Sequence, residues 1–199
     1  IMMRDVAYIA GIMCAGGCVN IKNSIYFLRI KTKDESLAHV VYKRMERLSE
    51  KTRMYRNGSF VVILRDKHMV MDFIERCGVK FNRYDWSVPE FVKKNMAYTR
   101  EFLKGFFDRG CVVYNMFVNV KGRKKRRRLL RVVSVNVNGL YMVKSLLERN
   151  NVRCNIYPVG KYFYLDIQGR INLFNFMKNV GFYNKQKMKA MEDMYVGGL

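Results

Sequence analysis

Apolar residues change their period along this chain in a fixed order, and the order comes round twice. From Arg4 to Ala15 the small residues Ala7, Gly11 and Ala15 fall four apart, which sets them on one face of a helix. Residues 19–22 and 24–31 alternate as strands joined by a tight turn around Asn23. Asp34 is placed to cap a helix through Leu48, whose apolar stripe is Leu37, Val40, Val41, Met45 and Leu48. Strands over 52–56 and 59–65 pivot on Asn57-Gly58, a strong hairpin signal, and a helix over 67–77 stops at Gly78. The second round predicts a helix over 98–109, strands over 111–119 and 129–137, and a helix over 139–149. Strands over 152–158 and 162–168, a helix over 170–179 and a terminal helix over 185–195 complete it.

Self-similarity in the residues themselves supports this reading. Phe60, Phe73 and Gly78 recur as Phe163, Phe176 and Gly181, at an offset of 103. Glu46-Arg47 recurs as Glu148-Arg149 at offset 102, and Gly17-Cys18-Val19 as Gly110-Cys111-Val112 at offset 93. About nine residues have been gained between Val112 and Glu148, and the basic run Lys121–Arg128 is the natural place for them. The organisation expected is a first repeat over 1–78, a linker over 79–97 around Trp86 and Pro89, and a second repeat over 98–199. The basic insertion is placed at 121–128.

Charge then narrows the partner. Lys and Arg number 38 against 16 Asp and Glu, a formal net charge of +22, while half the residues are apolar. A folded, strongly basic chain favours a polyanion, because each neutralised phosphate releases condensed counterions. A membrane partner is not expected, since no stretch is long and apolar enough to span a bilayer. The five cysteines are odd in number and form no C-x-x-C pair, and the two histidines stand apart. Neither a disulfide framework nor a metal site is expected. The chain reads as a resident of a reducing compartment, organellar matrix or prokaryotic cytoplasm, with no cleavable signal peptide and no secretion.

Two stretches carry a family signature. Ile9-Ala-Gly-Ile-Met-Cys-Ala-Gly-Gly17 resembles the nine-residue LAGLIDADG motif of homing endonucleases and intron maturases, and Leu103-Lys-Gly-Phe-Phe-Asp-Arg-Gly-Cys111 looks like a second copy. Each is degenerate alone. Their recurrence in αββαββ order carries the resemblance over the whole chain, with Gly181-Phe-Tyr-Asn-Lys-Gln-Lys187 similar to the family's last helix start. The resemblance implies an α+β fold: two pseudo-symmetric αββαββα repeats forming a saddle of antiparallel sheets, with the motif helices side by side on a pseudo-twofold axis. A helix glycine costs about 1 kcal/mol relative to alanine, and close packing of those helices gives Ala7, Gly11 and Gly105 their reason.

In such proteins the eighth motif residue is an acid that holds divalent metal over the scissile phosphates. Here the eighth positions are Gly16 and Gly110. If the second motif is instead one residue short, Asp108 is the nearest surviving carboxylate, while the first copy has none closer than Asp5. Metal-assisted phosphodiester cleavage needs carboxylate oxygens, so loss of nuclease activity is expected. No cofactor is expected, and magnesium would enter only with residual cleavage.

Strand parity assigns the reading surface. Phe163, Leu165 and Ile167 face the core, as do Val152, Cys154 and Ile156, leaving Tyr162, Tyr164, Asp166, Gln168, Arg153, Asn155 and Tyr157 outward. The first half presents Asn20, Lys22, Arg29, Lys31, Arg53, Tyr55 and Arg65, and the second half adds Asn115 and Asn119. Such side chains read base edges and hold phosphates. Outward Ile25, Phe27, Val61 and Ile63 would touch thymine methyls, splayed bases or a partner. The residues Lys121, Arg123, Lys124, Lys125, Arg126, Arg127 and Arg128 read as an arm reaching along phosphates.

Three functions fit: a binder of structured RNA, maturase-like or in a ribonucleoprotein assembly such as the ribosome; a binder of a pseudo-palindromic duplex DNA site; and an active endonuclease using displaced carboxylates such as Asp108. Tyr and Arg side chains favour unpaired bases. The two-half symmetry favours a duplex, bound by a monomer.

Overall fold

The structure is a computed structural model, and it describes residues 2–196. The two rounds of elements fold as two copies of one unit. Helix α1 (Met2–Cys14) leads into β1 (Cys18–Lys22) and β2 (Ile25–Thr32), then α2 (Glu35–Glu46), β3 (Thr52–Asn57), β4 (Ser59–Leu64) and α3 (Lys67–Cys77). A short α4 (Glu90–Lys94) sits in the connector. The second copy runs α5 (Met96–Gly110), β5 (Cys111–Val120), β6 (Arg123–Ser134), α6 (Val137–Glu148), β7 (Asn155–Val159), β8 (Tyr162–Gln168) and α7 (Arg170–Asn179). Helix α8 (Lys185–Val196) follows. Each copy forms one four-stranded antiparallel sheet, ordered β1-β2-β4-β3 and β5-β6-β8-β7.

Local chemistry explains the boundaries. Asn23 and Ser24 both take positive φ, which closes the two-residue turn between β1 and β2. The Asp34 carboxylate accepts the Leu37 amide and starts α2, and Asp66 does the same for α3 through Met69. Gly78, in the left-handed region, ends α3.

Two expected boundaries are corrected. The basic run is not a loop between strands over 111–119 and 129–137, because residues 123–128 are paired in register with 115–120. Only Lys121 and Gly122, both with positive φ, form the turn. The gained residues lengthen the hairpin instead: β5 and β6 have 10 and 12 residues where β1 and β2 have 5 and 8. At the other edge, β7 begins at Asn155 rather than at 152. The amides of Asn151 and Val152 still bond back to Glu148 and Leu147 of the preceding helix turn, so the chain cannot yet join a sheet.

The halves meet along α1 and α5. A Cβ on Gly11 would lie 2.1 Å from the Phe102 carbonyl oxygen, and one on Gly105 would lie 2.1 Å from that of Tyr8. Glycine is required at both positions because backbone meets backbone there. Ala7 is fully buried on the same helix, and the core runs through both copies without a break. The segments after each copy then cross over. Trp86, from the connector, packs on Gly139 and accepts a hydrogen bond from Asn136, the N-cap of α6. Asn184, after the second copy, donates to Asp34, the N-cap of α2.

An ionic cluster also bridges the halves. Buried Asp5 of α1 accepts from Arg44 at 2.7 Å and from Arg47 at 2.6 and 2.9 Å, and Arg44 reaches Glu101 of α5 at 3.1 Å. Burial opposes ionisation of Asp5, but hydrogen bonds and charge from Arg47 and Arg44 outweigh it and hold the carboxyl below its usual range. Its stabilising contribution is therefore present above the ordinary carboxylate pKa and is lost as pH falls through the depressed one. Asp5→Asn keeps one acceptor and loses the charge. It should lower stability by about 2 kcal/mol, in the range of a charge-assisted hydrogen bond, with the loss relative to wild type shrinking in acid when unfolding is followed across pH. Among the described residues no helix is long and apolar enough to cross a membrane, and all five cysteines are free.

Candidate nucleic-acid interface

Helices cover one face of each sheet and leave the other open. On the first sheet the register sets Arg29, Ile63 and Arg53 in one row and Lys31, Val61 and Tyr55 in the next, all on the open face. Val61 and Ile63 are buried in spite of facing outward, at 7% and 3% exposure. The long side chains on either side of them in each row shield them, so they are a floor and not a contact surface. Phe27 lies under the Arg29 guanidinium, 5.2 Å from its ring centre, while Ile25 stays exposed near the hairpin end. Lys22 and Arg65 are exposed at the margins. Asn20 spends its amide on the carbonyls of Lys22 and Ile25, and Arg53 donates to the carbonyls of Glu50 and Thr52.

On the second sheet the same parity exposes Val112, Tyr114, Met116, Val118 and Val120 of β5, paired with Arg131, Leu129, Arg127, Lys125 and Arg123 of β6. Asn115 and Asn119 are therefore corrected: they share the face of Cys111, Val113, Leu130 and Val132, which is the helix side. The motif helices pair with an offset of 94, since Tyr8 and Gly11 oppose Phe102 and Gly105. An offset of 93 in the following strand puts every side chain on the wrong face. The basic run divides in the same way. Arg123, Lys125 and Arg127 point to the open side, while Lys124, Arg126 and Arg128 point to the back. Arg126 donates there to Asn115 at 2.8 Å and to the Asp193 carbonyl of α8 at 3.1 Å. Arg128 lines a small cavity with Met194 and Tyr195 of α8.

Arg131 is the residue that sequence reasoning missed at the centre of this face. It bonds Asp166 through two nitrogens, at 2.6 and 2.7 Å, and donates to the Tyr157 hydroxyl at 2.7 Å. Its guanidinium lies over the rings of Tyr164 and Tyr114, at 4.6 and 5.5 Å. Hydrogen bonding to Asp166 raises its pKa further. Asp166 is buried at 2% exposure although it faces outward, because Arg131 and Tyr157 close over it. Among the described residues it is the only acid on the strands of either open face. The available signal for Arg131 was its position in β6, a lone cation between Leu130 and Val132, two core residues of the opposite face. Tyr162 and Gln168 stay on the open face, and Asn155 is exposed at the start of β7. Arg153 does not join them, since it precedes β7 and its amide donates to the Asn172 side chain of α7 at 3.2 Å; it and Asn155 line a groove between α6 and α7.

Between the sheets lie the ends of α1 and α5. A Cβ built on Gly110 would lie 3.2 Å from that of Ala15, so the two chains nearly touch. Gly16 takes a φ of +132°, and a Cβ there would meet the Arg109 guanidinium at 3.7–4.0 Å. The Arg109 Nε is buried and meets no acceptor among the described residues, and burial alone pulls its pKa down. Asp108 is fully buried. Its carboxylate accepts the Tyr8 hydroxyl at 2.7 Å and the amides of Tyr183 and Asn184 at 3.2 and 3.1 Å. Burial raises its pKa to about 6, against the pull of those hydrogen bonds.

This arrangement has solved relatives. The family model of the WhiA LAGLIDADG-like domain matches residues 5–95. The N-terminal LAGLIDADG domain of DUF199/WhiA superposes with a TM-score of 0.62 at 13% identity, over 91% of this chain and 82% of that one. I-DmoI in complex with DNA and Mn gives 0.63 at 17% identity, over 91% of this chain and 98% of that one. This is the single-chain, two-repeat LAGLIDADG fold. Full-length DUF199/WhiA from Thermatoga maritima gives 0.64 at 13% identity, and the chain spans 61% of that protein. No curated protein matches the sequence.

Within the LAGLIDADG fold, the offset of 94 makes Gly16 and Gly110 equivalent eighth positions and removes the shortened alignment that favoured Asp108. A divalent metal does not fit the helix ends: the eighth positions offer no side-chain oxygen, Asp108 is spent on three donors, and a guanidinium lies alongside. Among the described residues no cluster of three metal-ligating side chains occurs anywhere.

Proposed function

We propose that the protein binds duplex DNA across its two open sheet faces and does not cut it. The observation that carries this reading is the pair of equivalent faces bearing Lys22, Arg29, Lys31 and Arg53 on one side and Arg123, Lys125, Arg127 and Arg131 on the other. Their one strand acid is consumed by Arg131. Two like faces about a pseudo-twofold axis suit a pseudo-palindromic site read through the major groove. That I-DmoI, with the same fold, has been solved with DNA supports a duplex over other polyanions. Arg and Lys on strands supply phosphate contacts, and Tyr55, Asn155 and Gln168 are the neighbouring groups suited to base edges.

Structured RNA is a second reading with one observation in its favour. Tyr114, Tyr157 and Tyr164 gather around Arg131 on the second sheet, and aromatic rings beside a guanidinium suit unpaired bases. Competition between a randomised duplex library and structured RNA for the purified protein separates the two.

The reading without cleavage is supported by the helix ends, where Gly16 and Gly110 carry no side-chain oxygen and Asp108 is engaged by three donors. Incubating a selected duplex with magnesium or manganese and sequencing the ends should yield no enriched breaks. Position-specific breaks in both strands, lost in Asp108→Asn, would instead restore the nuclease reading.

A further inference from the structure

We propose that Arg109 makes the junction of the motif helices a phosphate site, seating one backbone phosphodiester directly on a guanidinium where metal-binding acids would otherwise stand. The proposal rests on the duplex-binding reading and names a subsite within it. Arg109 is the seventh residue of the second motif, and its equivalent in the first copy is Ala15. The cation therefore enters from one repeat only, and the site it makes is single and asymmetric.

Three features argue for a ligand. First, the guanidinium is left without the partners that other half-buried cations of this protein have. Arg44 is paired with Asp5 and Glu101, Arg131 with Asp166, and Lys187 donates to the carbonyls of Phe107 and Asp108. Among the described residues the Arg109 Nε has no acceptor and no acid contributes to its electrostatics. A half-buried charge of this kind is costly unless something pairs with it. Arg128 also has a buried Nε without an acceptor, but it packs beneath α8 and away from the junction.

Second, Gly16 sets no side chain against the guanidinium, although a Cβ there would lie only 3.7–4.0 Å from it. An acid in its place would form an ion pair with Arg109 and use up the charge, whereas glycine leaves the planar fork available. Third, Lys187 is near enough for its charge and that of Arg109 to oppose each other, so the junction carries two cations. Arginine does not shed its proton in proteins and presents two parallel donors, a geometry that suits a phosphate better than it suits any neutral group. Arg109 is partly exposed while its Nε is buried, so a phosphate would meet the fork at its terminal nitrogens.

The test uses the full chain, with Arg109→Leu and Arg109→Lys beside wild type. Duplex affinity is measured over a salt series, thermal unfolding is followed without nucleic acid, and unfolding is repeated with pyrophosphate. Arg109→Leu should flatten the log K against log salt slope by about 0.9, the value for one phosphate on a duplex. Its melting temperature without ligand should equal or exceed that of wild type, because an unpaired cation has been removed. Arg109→Lys should keep the slope and bind more weakly than wild type. Pyrophosphate should raise the melting temperature of wild type and leave Arg109→Leu unmoved. The proposal is overturned if Arg109→Leu keeps the wild-type slope, or if it melts lower while binding unchanged. Should wild type bind no nucleic acid, the duplex reading fails on its own. The pyrophosphate shift then decides: a shift confined to wild type upholds the site, and equal shifts in both proteins, or none, sink it.

Discussion

Gly105→Ala is expected to lower stability by about 3 kcal/mol or more, at the upper end of what overpacking costs. In a chain of this size that corresponds to a fall in melting temperature of roughly 6–12 °C. The new methyl would stand 2.1 Å from the Tyr8 carbonyl oxygen and 3.2 Å from the Ile12 nitrogen, atoms of helix backbone that no rotamer change can move. The helices must part, and with them the core that both repeats share. In an isolated helix the same substitution stabilises by up to about 1 kcal/mol, so the sign of the change separates the two effects. Gly11→Ala should behave alike, its methyl meeting Phe102 and Phe106. Gly110→Ala should cost less, since the nearest atom is the Ala15 side chain at 3.2 Å. A Gly105→Ala protein that melts at or above the wild-type temperature would refute the close packing of α1 on α5.

Removing Arg123, Lys125 and Arg127 together should weaken duplex binding on the order of a hundredfold at 0.1 M salt and flatten the salt slope by about 2.7, about 0.9 for each phosphate contact. These three side chains alternate along β6 toward the open side, spaced to follow a backbone. The loss should be nearly equal for cognate and scrambled duplexes, because phosphate contacts position without specifying. The matched control is Lys124, Arg126 and Arg128 to alanine. It removes the same charge from the back of the arm, where Arg126 and Arg128 engage α8. That variant should lose stability at the α8 contact and retain most of the slope. Equal effects of the two triple variants on the salt slope would show that the arm acts as a diffuse charge and not as an oriented strand.

The sequence alone determined the elements, their order and their duplication, because those depend on local physics. Side-chain period, the Asp34 cap, the Asn57-Gly58 turn and the Gly78 stop act over a few residues and were legible one by one. It also determined the net charge, and the absence of acids at Gly16 and Gly110 could be read directly. Face assignment was legible where a strand carried core residues of its own, as Leu165 and Ile167 do in β8. It failed for Asn115 and Asn119, since in the protruding hairpin both faces are polar or exposed and a slip of one residue reverses them. Arg153 was misplaced for a related reason: its amide donates to the Asn172 side chain of α7, and the two amides before it bond to the preceding helix turn, so it stays outside β7.

Tertiary structure alone decided the fates of the charged groups. Asp108 and Arg109 are neighbours in sequence, yet one is sealed by Tyr8, Tyr183 and Asn184 and the other lies against Gly16 without an acceptor. Asp166 faces outward and is buried nevertheless, through Arg131 and Tyr157. Each outcome depends on residues far away in the chain, brought together when α1 packs on α5 and when strands pair across a sheet. A carboxylate or guanidinium has no fixed role until its surroundings set the cost of its charge, and those surroundings exist only in the folded protein.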